Sequence, residues 1–261
     1  MNTAAFMPIQ TSTPSKPPDD TPISPEFLPE KPRTPYKLPQ MTRLPVLTAW
    51  RRQFRHLLHS LARLLLFLIC RVKVSGLENF PAQGPALIVM NHLGDADIVL
   101  GLAFFPSLKI QTLAKVDLYV EYPPLGWIMD AYGVIWIHRG TPDRHALRAA
   151  TEALQLEQFV AIAPEGRESL SGELEEGTGG AAYLAIKSGA AILPVAVTGT
   201  TNAQVYGKIK HLTRPEITMN VGNLFYLEDH ELSREAIQRA TQEIMNRIAE
   251  LLPLAYRGVY K

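Results

Sequence analysis

The sequence has a single cysteine, Cys70, among its 261 residues. One cysteine cannot form a disulfide within the chain, nor a metal site built from several thiolates. Net charge is also nearly absent, because 26 Lys and Arg stand against 25 Asp and Glu, which leaves +1. Hydrophobic residues make up 46% of the chain and charged residues 20%, which excludes a wholly disordered protein. One α/β domain of ordinary size, or two small ones, fits this length.

Acidic residues are missing from the segment 31–77, which contains ten Lys or Arg. Because the whole chain carries +1, the remaining residues carry −9. A basic block of this kind attracts anionic lipid or nucleic acid. We expect no nucleic-acid partner, because the apolar residues of the segment form a broad face without an aromatic platform among the charges.

The segment 1–45 contains eleven of the 21 prolines. Proline fixes φ and lacks a backbone N–H, so regular helix and sheet are excluded there. The segment also lacks the charged start, apolar core and cleavage site of a secretory signal in that order. It is predicted to be a disordered, proline-rich leader.

The segment 46–71 is predicted to be a basic amphipathic helix. Its apolar residues repeat at steps of three and four and form one stripe: Phe54, Leu57, Leu58, Leu61, Leu64, Leu65 and Leu68. Its longest uncharged apolar run, Leu64 to Cys70, has seven residues, whereas crossing a bilayer takes about 20. Two interpretations remain open: a helix lying in the membrane interface, or one packed on the protein's own core with solvated arginines.

Beyond this helix, strand-like and helix-like pieces alternate from residue 72 to residue 261. Apolar runs of buried-strand length lie at Ala86–Met90, Gly133–Ile137, Phe159–Ala163 and Ala191–Val197. Helical patterns between and after them lie at Asp97–Phe105, Asp143–Leu156, Gly179–Ser188 and from Ser233 to Pro253. This order predicts an α/β domain with a largely parallel or mixed sheet flanked by helices.

The first buried run ends in His92, and Asp97 follows five residues later. A carboxylate can hold the tautomer of an imidazole and stabilise the imidazolium, which makes the pair a candidate general base. In an ideal helix a step of five residues turns about 140°, so the two side chains would point apart. They meet only if the intervening chain forms a turn, which Gly94 allows. A loop histidine beside an N-capping aspartate is the alternative.

Charged residues also follow two other predicted strands. Arg139 comes after the second run, and Glu165, Gly166 and Arg167 come after the third. Ligands of open α/β sheets bind beyond the carboxyl ends of the strands, and arginine can grip a phosphate with two N–H groups. A base and phosphate-binding arginines at one sheet edge are a candidate active site. Taken singly, Arg139 could cap the sheet and the others could form a surface turn.

Together these residues resemble the glycerolipid acyltransferase family. Its signature has four ordered blocks: Asn-His followed after four residues by Asp, an apolar strand ending in Arg, a Pro-Glu-Gly turn, and an apolar strand containing Pro. All four occur here in order, at Asn91–Asp97, Gly133–Arg139, Pro164–Ser169 and Ile192–Val197. The third block departs from the usual Phe-Pro-Glu-Gly-Thr-Arg-Ser, because Arg167 stands at the threonine position and Glu168 at the arginine position.

The resemblance implies an O-acyltransferase that moves an acyl group from an acyl thioester, on acyl carrier protein or coenzyme A, to a lysophospholipid hydroxyl. The first-choice acceptor is 1-acyl-glycerol-3-phosphate, with phosphatidic acid as the product. The resemblance assigns the catalytic roles to His92 and Asp97 and implies that no cofactor or metal is needed. Substrate-binding roles fall on Asn91, Arg139, Glu165, Gly166, Arg167 and Pro194. The resemblance favours a peripheral or monotopic position on the cytoplasmic face of the cell membrane.

Three alternatives remain. A thioesterase or lipase would need a Gly-x-Ser-x-Gly elbow, which the sequence lacks. A non-catalytic lipid-binding protein would not need the intact His92 and Asp97. A different acceptor within the family, another lysophospholipid or an aminolipid, fits the displaced Arg167.

Overall fold

The computed structural model describes residues 43–138, 143–229 and 231–261. Within these ranges the strands are β1 (Arg71–Ser75), β2 (Ala86–Met90), β3 (Ile110–Lys115), β4 (Ile135–Ile137), β5 (Phe159–Ile162), β6 (Ala191–Thr198) and β7 (Glu216–Val221). The helices are α1 (Ala49–Ile69), α2 (Ala96–Phe104), α3 (Leu118–Glu121), α4 (Pro123–Tyr132), α5 (Arg144–Gln155), α6 (Gly179–Ser188), α7 (Asn202–Lys210) and α8 (Arg234–Leu251). The predicted leader falls almost wholly outside the described residues.

The seven strands form one sheet in the order β1-β7-β6-β2-β5-β3-β4. Every neighbouring pair is parallel except β6 and β7, which are antiparallel. The central strand β2 pairs on both sides, since Ala86 lies opposite Phe159 of β5 and Ala191 of β6. The prediction of a largely parallel or mixed sheet flanked by helices is confirmed.

Two of the predicted elements have the observed bounds, Ala86–Met90 and Gly179–Ser188. The predicted strand from Gly133 begins only at Ile135. The reason is local: Gly133 ends α4 in the left-handed region, with φ +87°, and so belongs to the helix cap.

Helices cover both faces of the sheet, because successive side chains of a strand point to opposite sides. Leu87 and Val89 of β2 pack with α5, α6 and α8, whereas Ala86 and Ile88 pack with α1, α2 and α7. At the far edge, a smaller cluster joins α4 to β3 and β4. The core therefore has two layers, and β2 contributes to both of them.

Helix α1 buries a different face from the one its leucines suggest. Its buried residues are Arg55, His59, Ala62 and Leu66, while most of the leucine stripe stays exposed. The Arg55 guanidinium donates to the backbone carbonyls of Leu108, Ile110, Tyr132 and Gly133 and to Gln111 Oε1. The interpretation of a core-packed helix has its arginines solvated, but the Arg55 side chain is buried. Carbonyls near the end of α4 and the start of β3 offer it acceptors that no sequence pattern reveals.

No helix within the described ranges is both long enough and apolar enough to cross a bilayer.

Candidate active site

The His92–Asp97 pair forms at the carboxyl end of β2. Asp97 lies in the first turn of α2, and its Oδ2 atom is 2.9 Å from His92 Nδ1. The same oxygen accepts the backbone N–H groups of Leu93 at 2.6 Å and Gly94 at 3.0 Å. The chain between the two side chains is thus the turn that the spacing requires. A Cβ at Gly94 would lie 2.4 Å from the carbonyl oxygen of Thr200, so only glycine fits there.

The surroundings of His92 favour its protonated form. Burial lowers the pKa of the imidazole, whereas the hydrogen bond and the charge of Asp97 raise it. The charges of Glu168 and Glu165 act in the same direction, so the pKa is raised above its usual value. Because Nδ1 is held by Asp97, Nε2 is the nitrogen that can exchange a proton with a substrate. The side chain is 20% exposed, so it can be reached from outside.

Glu165 holds the backbone of His92. Its Oε1 accepts the His92 N–H at 2.9 Å, and its Oε2 accepts the Glu175 N–H at 2.9 Å. The His92 carbonyl accepts the Ser169 N–H at 2.7 Å, so both backbone groups of the histidine bond to the turn after β5. Burial raises the pKa of Glu165 to about 7, although its two backbone donors oppose this. Gly166 beside it adopts φ +75°, a conformation that glycine provides without strain.

The displaced charges of the third block point to different partners. Arg167 is exposed, and its Nη2 lies 2.6 Å from Glu175 Oε2. Glu168 accepts Asn202 Nδ2 at 3.0 Å, and Asn202 Oδ1 accepts the Asp95 N–H at 3.0 Å. Asn202 therefore joins the loops that follow β2, β5 and β6. A carboxylate, not a guanidinium, stands in the family's arginine position beside the His92 loop.

Two more of the predicted substrate-binding residues lie directly after β2 and within β6. The Asn91 side chain is fully buried, donating to the Val197 carbonyl at 3.0 Å and accepting the Val197 N–H at 2.8 Å. Asn91 thus ties the end of β2 to β6. Pro194 is buried within β6, opposite Val89 of β2. Arg139 lies outside the described residues, directly after His138 at the end of β4.

A second histidine–aspartate pair with the same spacing occurs at the end of β4. His138 Nδ1 is 3.1 Å from Asp143 Oδ2, and Asp143 Oδ1 caps α5 through the N–H groups of His145 and Ala146. This histidine is 59% exposed, against 20% for His92. We interpret His138 as structural, since its aspartate also accepts the His138 backbone N–H and caps α5.

Sequence reasoning missed Asn202 and Glu175. Asn202 carries no motif, but it follows β6 at the edge where β2 and β5 end, so the strand-end rule could have nominated it. Glu175 has no comparable signal, because its role depends on how the segment after the turn folds back. Among the described residues, no group of three or more His, Cys, Asp or Glu is placed to hold a metal ion.

Comparison with known proteins assigns the class. A family model described as Acyltransferase matches residues 71–198. The 1-acyl-sn-glycerophosphate acyltransferase of Thermotoga maritima has the same fold, with a TM-score of 0.60 and 21% identity over 77% of this chain and 79% of that one. The sheet therefore has the fold of that structure, and the His–Asp turn lies within the residues that the acyltransferase model matches.

Curated relatives agree with this class. The chloroplastic 1-acyl-sn-glycerol-3-phosphate acyltransferase of Arabidopsis thaliana is 30% identical over 209 residues, 78% of this chain and 56% of that protein. The lyso-ornithine lipid O-acyltransferase of Pseudomonas aeruginosa is 27% identical over 200 residues, 76% of this chain and 74% of that protein. This chain therefore spans little more than half the length of its plant relative. The resemblance to the acyltransferase family found in the sequence is confirmed.

Proposed function

We propose that this protein transfers an acyl group from an acyl thioester to the free hydroxyl of a lysophospholipid. The proposed acceptor is 1-acyl-glycerol-3-phosphate, and the product is phosphatidic acid. The observation that carries the proposal is the hydrogen bond between His92 Nδ1 and Asp97 at the sheet edge, which leaves Nε2 for a substrate. The names of the plant relative and of the structural neighbour support the acceptor.

The chemistry needs only a base and a thiol leaving group. A free alcohol is almost fully protonated near neutral pH, so a positioned imidazole must take its proton as the oxygen attacks. In the proposed reaction His92 Nε2 takes the hydroxyl proton and the oxygen bonds to the thioester carbonyl carbon. The C–S bond then breaks, and the imidazolium returns the proton to the departing thiolate. The products are an ester and the free thiol of coenzyme A or acyl carrier protein.

Binding of the acceptor's phosphate is assigned to Arg139 and Arg167, with Glu165 and Gly166 shaping the turn beside them. An arginine offers a planar pair of N–H donors that match phosphate oxygens. Arg167 already has one N–H on Glu175, so it would present its remaining donors. Glu165 acts on the site through the His92 backbone, which its carboxylate fixes.

A second acceptor class is favoured by one specific feature. Glu168 occupies the position where the family has arginine, and its negative charge acts on His92. A cationic or zwitterionic headgroup would be attracted to this carboxylate, whereas a phosphate monoester would be repelled. The related lyso-ornithine lipid acyltransferase acts, by its name, on an aminolipid. An aminolipid acceptor is therefore the second candidate.

The test is a panel assay with purified protein, one acyl thioester and several lysolipid acceptors, scored by product mass. We expect phosphatidic acid to form fastest from 1-acyl-glycerol-3-phosphate. Faster acylation of a lyso-aminolipid would favour the second candidate. Release of free fatty acid without any acylated lipid would contradict acyl transfer altogether.

We also propose that α1 holds the protein on the cytoplasmic face of the membrane as a peripheral or monotopic enzyme. The outward face of α1 carries exposed leucines, and basic residues accompany them along the segment. Such a face is typical of a helix lying in the lipid interface. Since both the acceptor and the product are lipids, this position would keep the site next to its substrates.

Replacing Leu61 and Leu64 with aspartate is expected to weaken binding to anionic vesicles by about a hundredfold or more, because each buried leucine contributes about 1.5–3 kcal/mol. Vesicle co-sedimentation measures the effect. Leu156→Asp is the matched control, since Leu156 has a similar exposure but lies at the end of α5 on the other sheet face. Unchanged sedimentation of the double variant would exclude α1 as the anchor.

A further inference from the structure

The turn after α7 presents a leucine to the outside. Leu212 is 96% exposed and adopts φ +52°. This left-handed conformation is disfavoured for residues other than Gly, Asn and Asp. Two backbone bonds fix it there: Leu212 N–H to the Ile209 carbonyl and Thr213 N–H to the Lys208 carbonyl, both 2.9 Å. This is the Schellman pattern that ends many helices, with Leu212 where glycine is usual.

The leucine does not serve the fold. A side chain that is 96% exposed buries almost no apolar surface, and its conformation is strained. Helix α5 ends in the same pattern, with Glu157 at φ +55° in the equivalent position. There the strained residue is charged and suits water, whereas at Leu212 it is apolar. A fixed turn thus holds an apolar tip away from the protein.

The surroundings of this tip are basic. Lys208, Lys210 and Arg214 flank it and are all exposed. Within the described ranges neither Lys208 nor Lys210 forms an ion pair. Cations around a protruding apolar residue match a surface that offers anionic headgroups above hydrocarbon.

The tip is also tied to the end of α1. Arg214 Nη2 donates to the carbonyl of Phe67 at 2.5 Å and also to that of Cys70. Phe67 is 74% exposed, and Leu68 beside it is also exposed. The turn after α7 therefore lies against the end of α1, and both elements expose apolar residues there.

We propose that the turn 208–214, which we call the Leu212 turn, is a second membrane contact that inserts into an anionic lipid surface beside the end of α1. This contact rests on the membrane association proposed above and extends it from helix α1 to a turn that follows α7. Two contacts from separate elements restrain the orientation of the domain on the bilayer, whereas a single helix would leave it free to rotate about that helix.

The test uses Leu212→Gly in the full-length protein with vesicles of phosphatidylglycerol and phosphatidylcholine. Glycine removes the apolar tip and also relieves the strained φ, so thermal stability should rise while vesicle affinity falls by about tenfold. Glu157→Gly is the matched control: it relieves the same strain on the other sheet face, so stability should rise without loss of vesicle affinity. A merely structural role for Leu212 cannot produce opposite changes in stability and affinity.

Lys208→Glu combined with Lys210→Glu should lower affinity by at least about 25-fold, because each cation near an anionic surface contributes about a factor of five. Vesicles of phosphatidylcholine alone should bind the wild type weakly.

The proposal is overturned if Leu212→Gly binds anionic vesicles like the wild type, or if Glu157→Gly loses as much affinity. A vesicle-free change in mass with Leu212→Gly would instead identify a second copy of the chain as the occupant. Since these assays contain no acyl donor, they fail or succeed independently of acyl transfer.

Discussion

Replacing His92 with alanine is expected to lower the rate of acyl transfer by about 10²–10⁴-fold, the usual contribution of a general base. The variant loses the nitrogen that takes the acceptor's proton. The fold should persist, because Asp97 Oδ2 keeps the backbone donors of Leu93 and Gly94, and Glu165 binds the backbone of residue 92 and not its ring. Steady-state turnover at saturating donor measures the rate, and circular dichroism checks the fold.

The second pair in the chain supplies the control for this experiment. His138 has an aspartate at the same spacing and a similar Nδ1–Oδ2 distance, but it lies more exposed at the end of β4. His138→Ala should therefore leave turnover near that of the wild type. Wild-type turnover in His92→Ala, or an equal loss in both variants, would show that His92 is not the base.

Replacing Asp97 with asparagine is expected to reduce turnover by about 10²–10⁴-fold. The amide oxygen can still accept the N–H groups of Leu93 and Gly94, so the turn is kept. The lost feature is the negative charge, which stabilises the imidazolium as His92 takes up the proton. The amide nitrogen takes the place of Oδ1, a buried atom without a hydrogen-bond partner among the described residues.

The pH profile separates this electrostatic role from a structural one. A base acts in its neutral form, so kcat/KM rises with pH through the pKa of His92, which Asp97 holds above its usual value. In Asp97→Asn the burial that lowers this pKa loses its main opponent, so the rise should move to lower pH. Asp143→Asn is the control, because asparagine also caps helices well. A reduced rate with an unmoved profile would assign Asp97 to the turn alone.

Much of the fold could be predicted because buried strands have a simple signature. The runs at Ala86–Met90 and Ala191–Val197 are apolar throughout, and strands covered on both faces need such runs. Strand β4 begins two residues later than predicted, because Gly133 belongs to the apolar run in sequence but ends the preceding helix in the structure. Strands β1, β3 and β7 lie outside the four predicted runs, since mixed polar and apolar residues form them.

The candidate site was predictable as a set of residues but not as a set of contacts. The strand-end rule and the family blocks place His92, Asp97 and Glu165 at one edge. Neither reveals that Glu165 bonds to the backbone of His92, or that Arg167 and Glu168 diverge toward Glu175 and Asn202. Hydrogen bonds between loops depend on where each loop folds back in space, and local sequence does not encode the distance between two loops.

By itself, the sequence determined the α/β class, the basic helix, and the histidine with its aspartate downstream, because these follow from local periodicity, composition and spacing. Only the tertiary structure decided which face of α1 is buried, where the charges of the third block point, and that the Leu212 turn lies against the end of α1. Those outcomes depend on carbonyls and side chains brought together from distant parts of the chain. An arginine such as Arg55 finds its acceptors only after the sheet and helices around it have formed.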